Sequence, residues 1–401
     1  MAGSYKKRGK NSYELRVSAG TGPDGKRRRY IKTVKAKNDR EAEKLLALFV
    51  AEVEKGEYIE PSRLTLEEFS QRWLRDYVDK KLAPITRRTY RDKLDKRILP
   101  ALGHLTLEQI KPLHLLDFFA NLEEDGMRLD GQPGGMGPDS IAQCHRVLSS
   151  IFKCAVEWQI VQHNPCRNIK APPIPKRDLN CWDEEQTYTM LAALEKEPMQ
   201  FRVMVTMAAL TGLRRGELLG LEWKHIDFDK KTARIVQVSQ YVNGLGVITK
   251  EPKTASSVRL VALPGALVEL LKTYKAEQNK RRLKLGEKWE ESDRLFTTWN
   301  GLPMHPNTIN KWFREFQDRL NKELRAANKP ELPVIRFHDL RHSAASIMIT
   351  QGIDIGTVAK NLGHSRPSIT TDIYFTALQT AQERAAAKMD ELFASSIRSE
   401  K

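Results

Sequence analysis

Four short stretches in the second half of the sequence carry residue types suited to holding a phosphate and attacking it. TGLRRGELLGL (211–221) sets Arg214 and Arg215 beside a helix start. Glu217 follows Arg214 by three residues, the spacing at which a carboxylate holds a guanidinium in one orientation. KEPKTASSVRLVAL (250–263) places Lys253 among small turn-forming residues ahead of an alternating strand, so the lysine would project from a hairpin tip. RFHDLRHSAASIM (336–348) spaces His338 and Arg341 for one helix face, with Ala344, Ala345, Ile347 and Met348 as the packing side. LGHSRPSITTDIYF (362–375) holds His364 and then Tyr374, the only tyrosine beyond Tyr274. Guanidinium, ammonium and imidazole groups all bind phosphate oxygens, and an accessible phenol is a nucleophile. Singly, each stretch has an ordinary reading as a surface ion pair, a solvated lysine, a core histidine or a packing aromatic.

These residues need a scaffold, and the chain is long enough for two or three domains at 401 residues. With 40% apolar and 29% charged residues it reads as globular. No apolar run approaches the ~20 residues of a membrane span, and MAGSYKKRGK lacks the apolar segment of a secretory signal, so a cytoplasmic protein is expected. Cys144, Cys154, Cys166 and Cys181 lack the paired spacing of a zinc site; no disulfide and no metal is expected. The formal net charge of +16 favours a polyanionic partner.

That charge is concentrated at the start. Residues 1–40 hold thirteen lysines and arginines against three acids, with Lys6, Lys7, Arg8, Arg16, Arg27, Arg28 and Arg29 as candidate nucleic-acid contacts. SYELRVSA and RRYIKTVKA alternate as strands, and a helix starts at Asn38 with Glu41 completing a capping box. Such a basic sheet could lay a strand face into a DNA groove. A linker at 60–64 leads to helical patterns, opened by a Thr65–Glu68 capping box and continuing to about residue 168. In this region Tyr90, Leu94 and Ile98 share a face, Thr106 and Gln109 cap a further helix, and Arg87, Arg88 and Arg91 add basic surface. KAPPIPKRD (170–178) is a proline-rich linker, and a mixed domain follows with helices, strands over 231–263, and helices again.

TGLRRGE, PKTASSVR, HDLRH, LGH and TTDIYF, in that order, resemble the motifs of the tyrosine recombinase family, the integrases of phages and conjugative elements. The repeated Leu-Gly-His at 102–104 is a decoy, since His114 stands where a tyrosine is required. The resemblance spans nearly the whole chain. It implies a multidomain α+β protein: a small basic β-sheet-plus-helix arm-binding domain (1–60), an all-α core-binding domain (64–169), and a mixed, mainly helical catalytic domain with a small antiparallel sheet (178–401). By motif the catalytic set falls on Arg214, Lys253, His338, Arg341, His364 and Tyr374, with Glu217 as buttress; Arg215 and Lys250 are the neighbours to be told apart from them. The implied function is site-specific recombination through a 3′-phosphotyrosine, integrating or excising a mobile element. Double-stranded DNA with core and arm sites, a homotetramer, an excisionase and a host DNA-bending protein are the implied partners, on the bacterial nucleoid. No cofactor is implied, because one phosphoester replaces another. The rivals are a relaxing enzyme of the type IB topoisomerase class and a non-catalytic DNA-binding regulator.

Overall fold

The structure, a computed structural model, describes residues 2–21, 27–56, 58–59, 62–174, 181–252 and 257–363, with residue 386. The chain divides into two compact units, Met1–Lys176 and Arg177–Lys401.

The first unit opens with an antiparallel sheet of β1 (Ala2–Gly9), β2 (Ser12–Thr21) and β3 (Arg27–Lys35) in that order. Alternation along β2 turns Tyr13, Leu15 and Val17 to one face, where they are fully buried. Leu15 and Val17 share a cluster with Phe49 and Val53 of the helix Asp39–Glu54. β1 is a third strand that its own polar sequence does not announce; it is held by seven paired positions along β2 and puts lysines on the sheet's edge. The helix cap also differs in one arm. Asn38 accepts from the Glu41 amide at 2.9 Å, but Glu41 accepts from the Lys37 amide, not that of Asn38.

Helices fill the rest of this unit. Thr65 and Glu68 form both arms of their capping box, seating Leu66, Phe69 and Trp73 in the core. Leu94 and Ile98 are fully buried, and Tyr90 stacks on Trp73. The Thr106 amide does donate to Gln109, at 3.0 Å, but this closes a turn and not a helix. The helix starts at Pro112, whose fixed φ suits the first helical position, and runs to Glu123. A long helix, Pro138–Glu157, buries Ile141, Leu148, Ile151 and Phe152 along with Cys144 and Cys154.

The second unit is mainly helical. Helices Glu184–Ala193, Met199–Thr211 and Arg215–Gly220 precede the strands, and Gly265–Leu285, Pro306–Ala326, Leu340–Thr350 and Ile355–Leu362 follow them. The strands form two small antiparallel sheets. One joins β4 (Ile226–Asp227), β5 (Thr232–Ile235) and β8 (Arg259–Ala262); the other pairs β6 (Val238–Val242) with β7 (Gly246–Lys250). β7 and β8, the described strands on either side of the expected Lys253 hairpin, belong to different sheets and pair with β6 and β5 respectively; Lys253 itself lies outside the described residues. One core gathers residues from helices and strands alike, Met204, Leu218, Val261, Leu271, Phe313 and Leu340 among them. Trp182 fastens the start of the unit to it, donating its indole N–H to Pro333 O at 2.8 Å and its amide to Ser343 Oγ at 2.9 Å. Among the described residues no helix is long and apolar enough to cross a membrane.

Candidate active site

The helix Met199–Thr211 stops at Gly212, which adopts φ 65°. Glycine is required there twice over: the left-handed backbone disfavours side chains, and a Cβ would lie 2.6 Å from Leu362 Cδ2. The turn delivers Arg214 in extended backbone at the N-cap of the next helix. Glu217 reaches back, accepting from the Arg214 amide at 3.0 Å and from Arg214 Nη1 at 2.8 Å. The arginine side chain is 36% exposed and the glutamate 2%. A fixed positive group therefore stands at the surface on a buried anionic foot, the pairing that the i, i+3 spacing predicts.

Two further arginines meet this pair from beneath. Arg341, in the first turn of Leu340–Thr350, is 3% exposed; it donates to Gly212 O and to Leu362 O, each at 2.8 Å. Arg214 donates to the same Leu362 oxygen at 3.3 Å and to Gly363 O at 3.1 Å. Arg259, the first residue of β8, donates Nε to Asn361 O at 2.7 Å and reaches both Glu217 oxygens, at 3.2 and 2.9 Å. All three guanidiniums thus sit on the carboxyl end of Ile355–Leu362, where unpaired carbonyls carry about half a negative charge. Gly363, with φ 67°, closes that helix, and a Cβ on it would come 2.9 Å from Arg259 Nη1. Three cations against one carboxylate and a helix end leave an excess of roughly +1.5, a field suited to an incoming phosphate. Burial would push the Glu217 carboxyl up, but hydrogen bonds and charge from Arg259, then the charge of Arg214, hold it below the usual carboxylate range.

His338 arrives by a different device. On the helix Pro306–Ala326, Asn321 and Gln317 are one turn apart and buried. Asn321 exchanges hydrogen bonds with Leu332 N and O, both at 2.8 Å, and Gln317 does so with Ile335 N and O, both at 2.9 Å. Two amide side chains thereby act as a strand edge for the segment leading to the site. His338 then lies in a short 3-10 turn, Phe337–Asp339, ahead of the helix that begins at Leu340. The one-helix expectation for His338 and Arg341 is corrected to that extent. His338 is exposed, yet it stands over a dense part of the unit. Loss of hydration first, then the positive charges of Arg341 and His342, with Arg214 a smaller influence, lower its pKa to about 4. It is a neutral imidazole at physiological pH. Asp339 is buried and holds Arg336 through three hydrogen bonds.

The structure thus brings together Arg214, Glu217, His338 and Arg341. Lys253, His364 and Tyr374 lie outside the described residues. Lys250 ends β7 opposite Val238, and Arg215 is the first residue of its helix, with burial lowering its pKa. Three contributors went unread in the sequence: Arg259, whose signal is a charge opening an otherwise apolar strand, and Gln317 and Asn321, polar residues within an apolar helical stripe.

The basic candidates of the first unit separate by strand register. Lys6 (opposite Glu14), Arg16 (opposite Ile31) and Arg29 (opposite Ser18) share the face away from the helix. Arg8 and Arg16 both pair with Glu14, at 2.7 and 2.6 Å. Lys7 belongs to the other face, its Nζ 5.6 Å from the Tyr13 ring, and Arg28 is one residue out of step with Arg29. The side chain of Arg27 lies outside the described residues. In the helical part Arg88 is exposed, Arg87 donates to Leu82 O at 2.6 Å, and Arg91 Nη2 donates to both Asp79 oxygens.

Known proteins are similar to this chain in sequence and in fold. The phage integrase family model matches residues 181–380, and a model described as the N-terminal SAM-like domain of phage integrases matches residues 65–122. The chain is 26% identical to a tyrosine recombinase XerC-like protein of Caldanaerobacter subterraneus subsp. tengcongensis, with 97% of this chain and 98% of that one aligned. Its fold is similar to the Tn1549 transposon integrase in complex with transposon right end DNA (TM-score 0.65, 18% identity, 80% of this chain and 100% of that one). It is also similar to a lambda integrase tetramer bound to a Holliday junction (TM-score 0.54, 18% identity, 92% and 94%).

Proposed function

The chain belongs to the phage integrase family of tyrosine recombinases, site-specific enzymes, and from that premise we propose that it recombines DNA through a 3′-phosphotyrosine formed by Tyr374. The observation that carries this reading is the meeting of Arg214 and Arg341, from distant parts of the chain, on the single carbonyl of Leu362. That carbonyl is two residues before His364 in the sequence.

A phenol with an ordinary pKa near ~10 is a poor nucleophile at neutral pH and must lose its proton as the new bond forms. In this reading the Tyr374 oxygen attacks the phosphorus in line. Neutral His338 accepts the proton, and Lys253 donates one to the departing 5′-oxygen. Arg214, at the surface, binds the non-bridging oxygens as they gain charge. Arg341 supplies positive potential from below, and His364 adds a hydrogen bond. The product is again a phosphoester, so a 5′-hydroxyl of a second duplex reverses the step at little energetic cost. Neither ATP nor a divalent metal enters that balance.

Residues 1–60 serve as an arm-binding domain through the sheet face bearing Lys6, Arg8, Arg16 and Arg29. Residues 64–169 bind the core site, and 178–401 catalyse. Joining two duplexes takes four cuts, so the working unit on DNA is a homotetramer, the state of the lambda integrase named above. An excisionase and a host DNA-bending protein are its expected auxiliaries.

The test is a nicked suicide duplex bearing a core site selected by the chain's own binding. The unsubstituted chain is expected to form a covalent adduct whose DNA-linked peptide contains Tyr374, while Tyr374→Phe binds equally and forms none. An adduct that persists in Tyr374→Phe would refute the assignment.

A further inference from the structure

We propose that Arg259 is a positioning residue of strand cleavage, holding Glu217, and through it the Arg214 guanidinium, against the end of the Ile355–Leu362 helix. Arg259 is 6% exposed at its side chain and so presents little surface to a ligand. Its donors are all directed inward: Nε to Asn361 O, Nη1 to Glu217 Oε1 and to Ser257 O, and Nη2 to Glu217 Oε2. With the Arg214 amide and Nη1, these bonds give each Glu217 oxygen two donors, which fills the capacity of a carboxylate. A carboxylate bound on all sides cannot rotate, so its partner Arg214 is held in one place while keeping an outer surface for phosphate.

The same guanidinium ties together two segments that matter in sequence. Ser257 and Arg259 follow directly on the 253–256 segment that contains Lys253. Asn361 lies three residues before His364. A planar fork can join a carboxylate, a loop carbonyl and a helix end at once; the single ammonium of lysine cannot. Stability alone does not call for such an arrangement, because a buried ion pair gains little over a well-packed apolar pair. Its specific yield is orientation.

The inference rests on the recombinase reading above and is tested on the same selected core duplex. The duplex is made with a natural scissile phosphate and, separately, with a methylphosphonate there, which removes the non-bridging charge that Arg214 serves. On phosphate, single-turnover adduct formation is expected to slow about 100-fold in Arg259→Ala and about tenfold in Arg259→Lys, the scale of losing one well-placed donor. DNA affinity should stay within about threefold, and Arg259→Lys should stay folded with a lowered melting temperature, since one ammonium leaves part of the buried set unpaired. On methylphosphonate both variants should return to within about threefold of the unsubstituted chain, as Arg214→Ala should. A defect of equal size on both linkages would overturn the proposal, as would no defect on phosphate. Loss of fold in both Arg259 variants while Arg214→Ala stays folded would also overturn it, assigning Arg259 to the core. No adduct from the unsubstituted chain on phosphate would overturn the recombinase reading, and this inference with it.

Discussion

Arginines do two different jobs in this molecule, and the contrast lies in what surrounds them. On the outer face of the N-terminal sheet, Arg8 and Arg16 are 49% and 42% exposed and share Glu14 in water. Ion pairs of that kind contribute little to stability and are screened by salt. In the second unit Arg214, Arg259 and Arg341 rest on backbone carbonyls and a buried glutamate, where little water competes. The first group suits affinity for a polyanion by counterion release; the second suits stabilising one charge at one place. Residue type is the same, and solvent and partners decide the use.

Substitutions can break this comparison or refine it. The largest effect should follow Arg214→Ala: adduct formation on the suicide duplex is expected to fall ~100- to 1000-fold, with DNA affinity nearly unchanged. If affinity fell in proportion instead, the buried cluster would be acting like the sheet. Gly212→Ala should cost ~1–3 kcal/mol in unfolding free energy, since it forces a side chain into left-handed backbone and against Leu362; thermal and denaturant melts read it. The double variant Arg16→Ala/Arg29→Ala should lower the slope of log affinity against log salt by roughly two, leaving adduct formation at saturating DNA unchanged. A changed rate at saturation would mean that the sheet takes part in chemistry.

The smallest effect concerns pH. His338 has its pKa lowered from the ordinary 6.5 to about 4 in the folded chain. Between these values the unfolded chain binds the proton and the folded chain does not, so this group removes stability as pH falls from 6.5 towards 4 and contributes no slope outside that window. Imidazole resonances of the DNA-free protein, followed by NMR with residue 338 assigned from the signal lost in His338→Gln, should show it neutral down to about pH 4. Titration near 6.5 would show that lost hydration and the neighbouring positive charges do not act on it in this way.

Much of the scaffold was legible because its signals are local. The Thr65–Glu68 capping box, the alternating β2 strand and the Arg214–Glu217 pair each depend on residues within four positions of one another, and each formed. The Thr106–Gln109 cap misled because a side-chain hydrogen bond to the backbone closes a turn as well as it starts a helix; Pro112 decided where the helix began. β1 was unreadable for a related reason, its strand conformation being imposed by β2 across the ladder.

The sequence alone determined which groups this protein has for phosphate chemistry and in what order they occur, since residue type and short spacing fix charge, nucleophile and local pairing. Only the tertiary structure decided that Arg259 joins Glu217 and Asn361, the latter contact spanning 102 positions, and that a helix end is the seat shared by three guanidiniums. Those choices belong to folding because a backbone carbonyl is the same chemical group at every residue, and only the packed chain selects which one is left open to receive a charge.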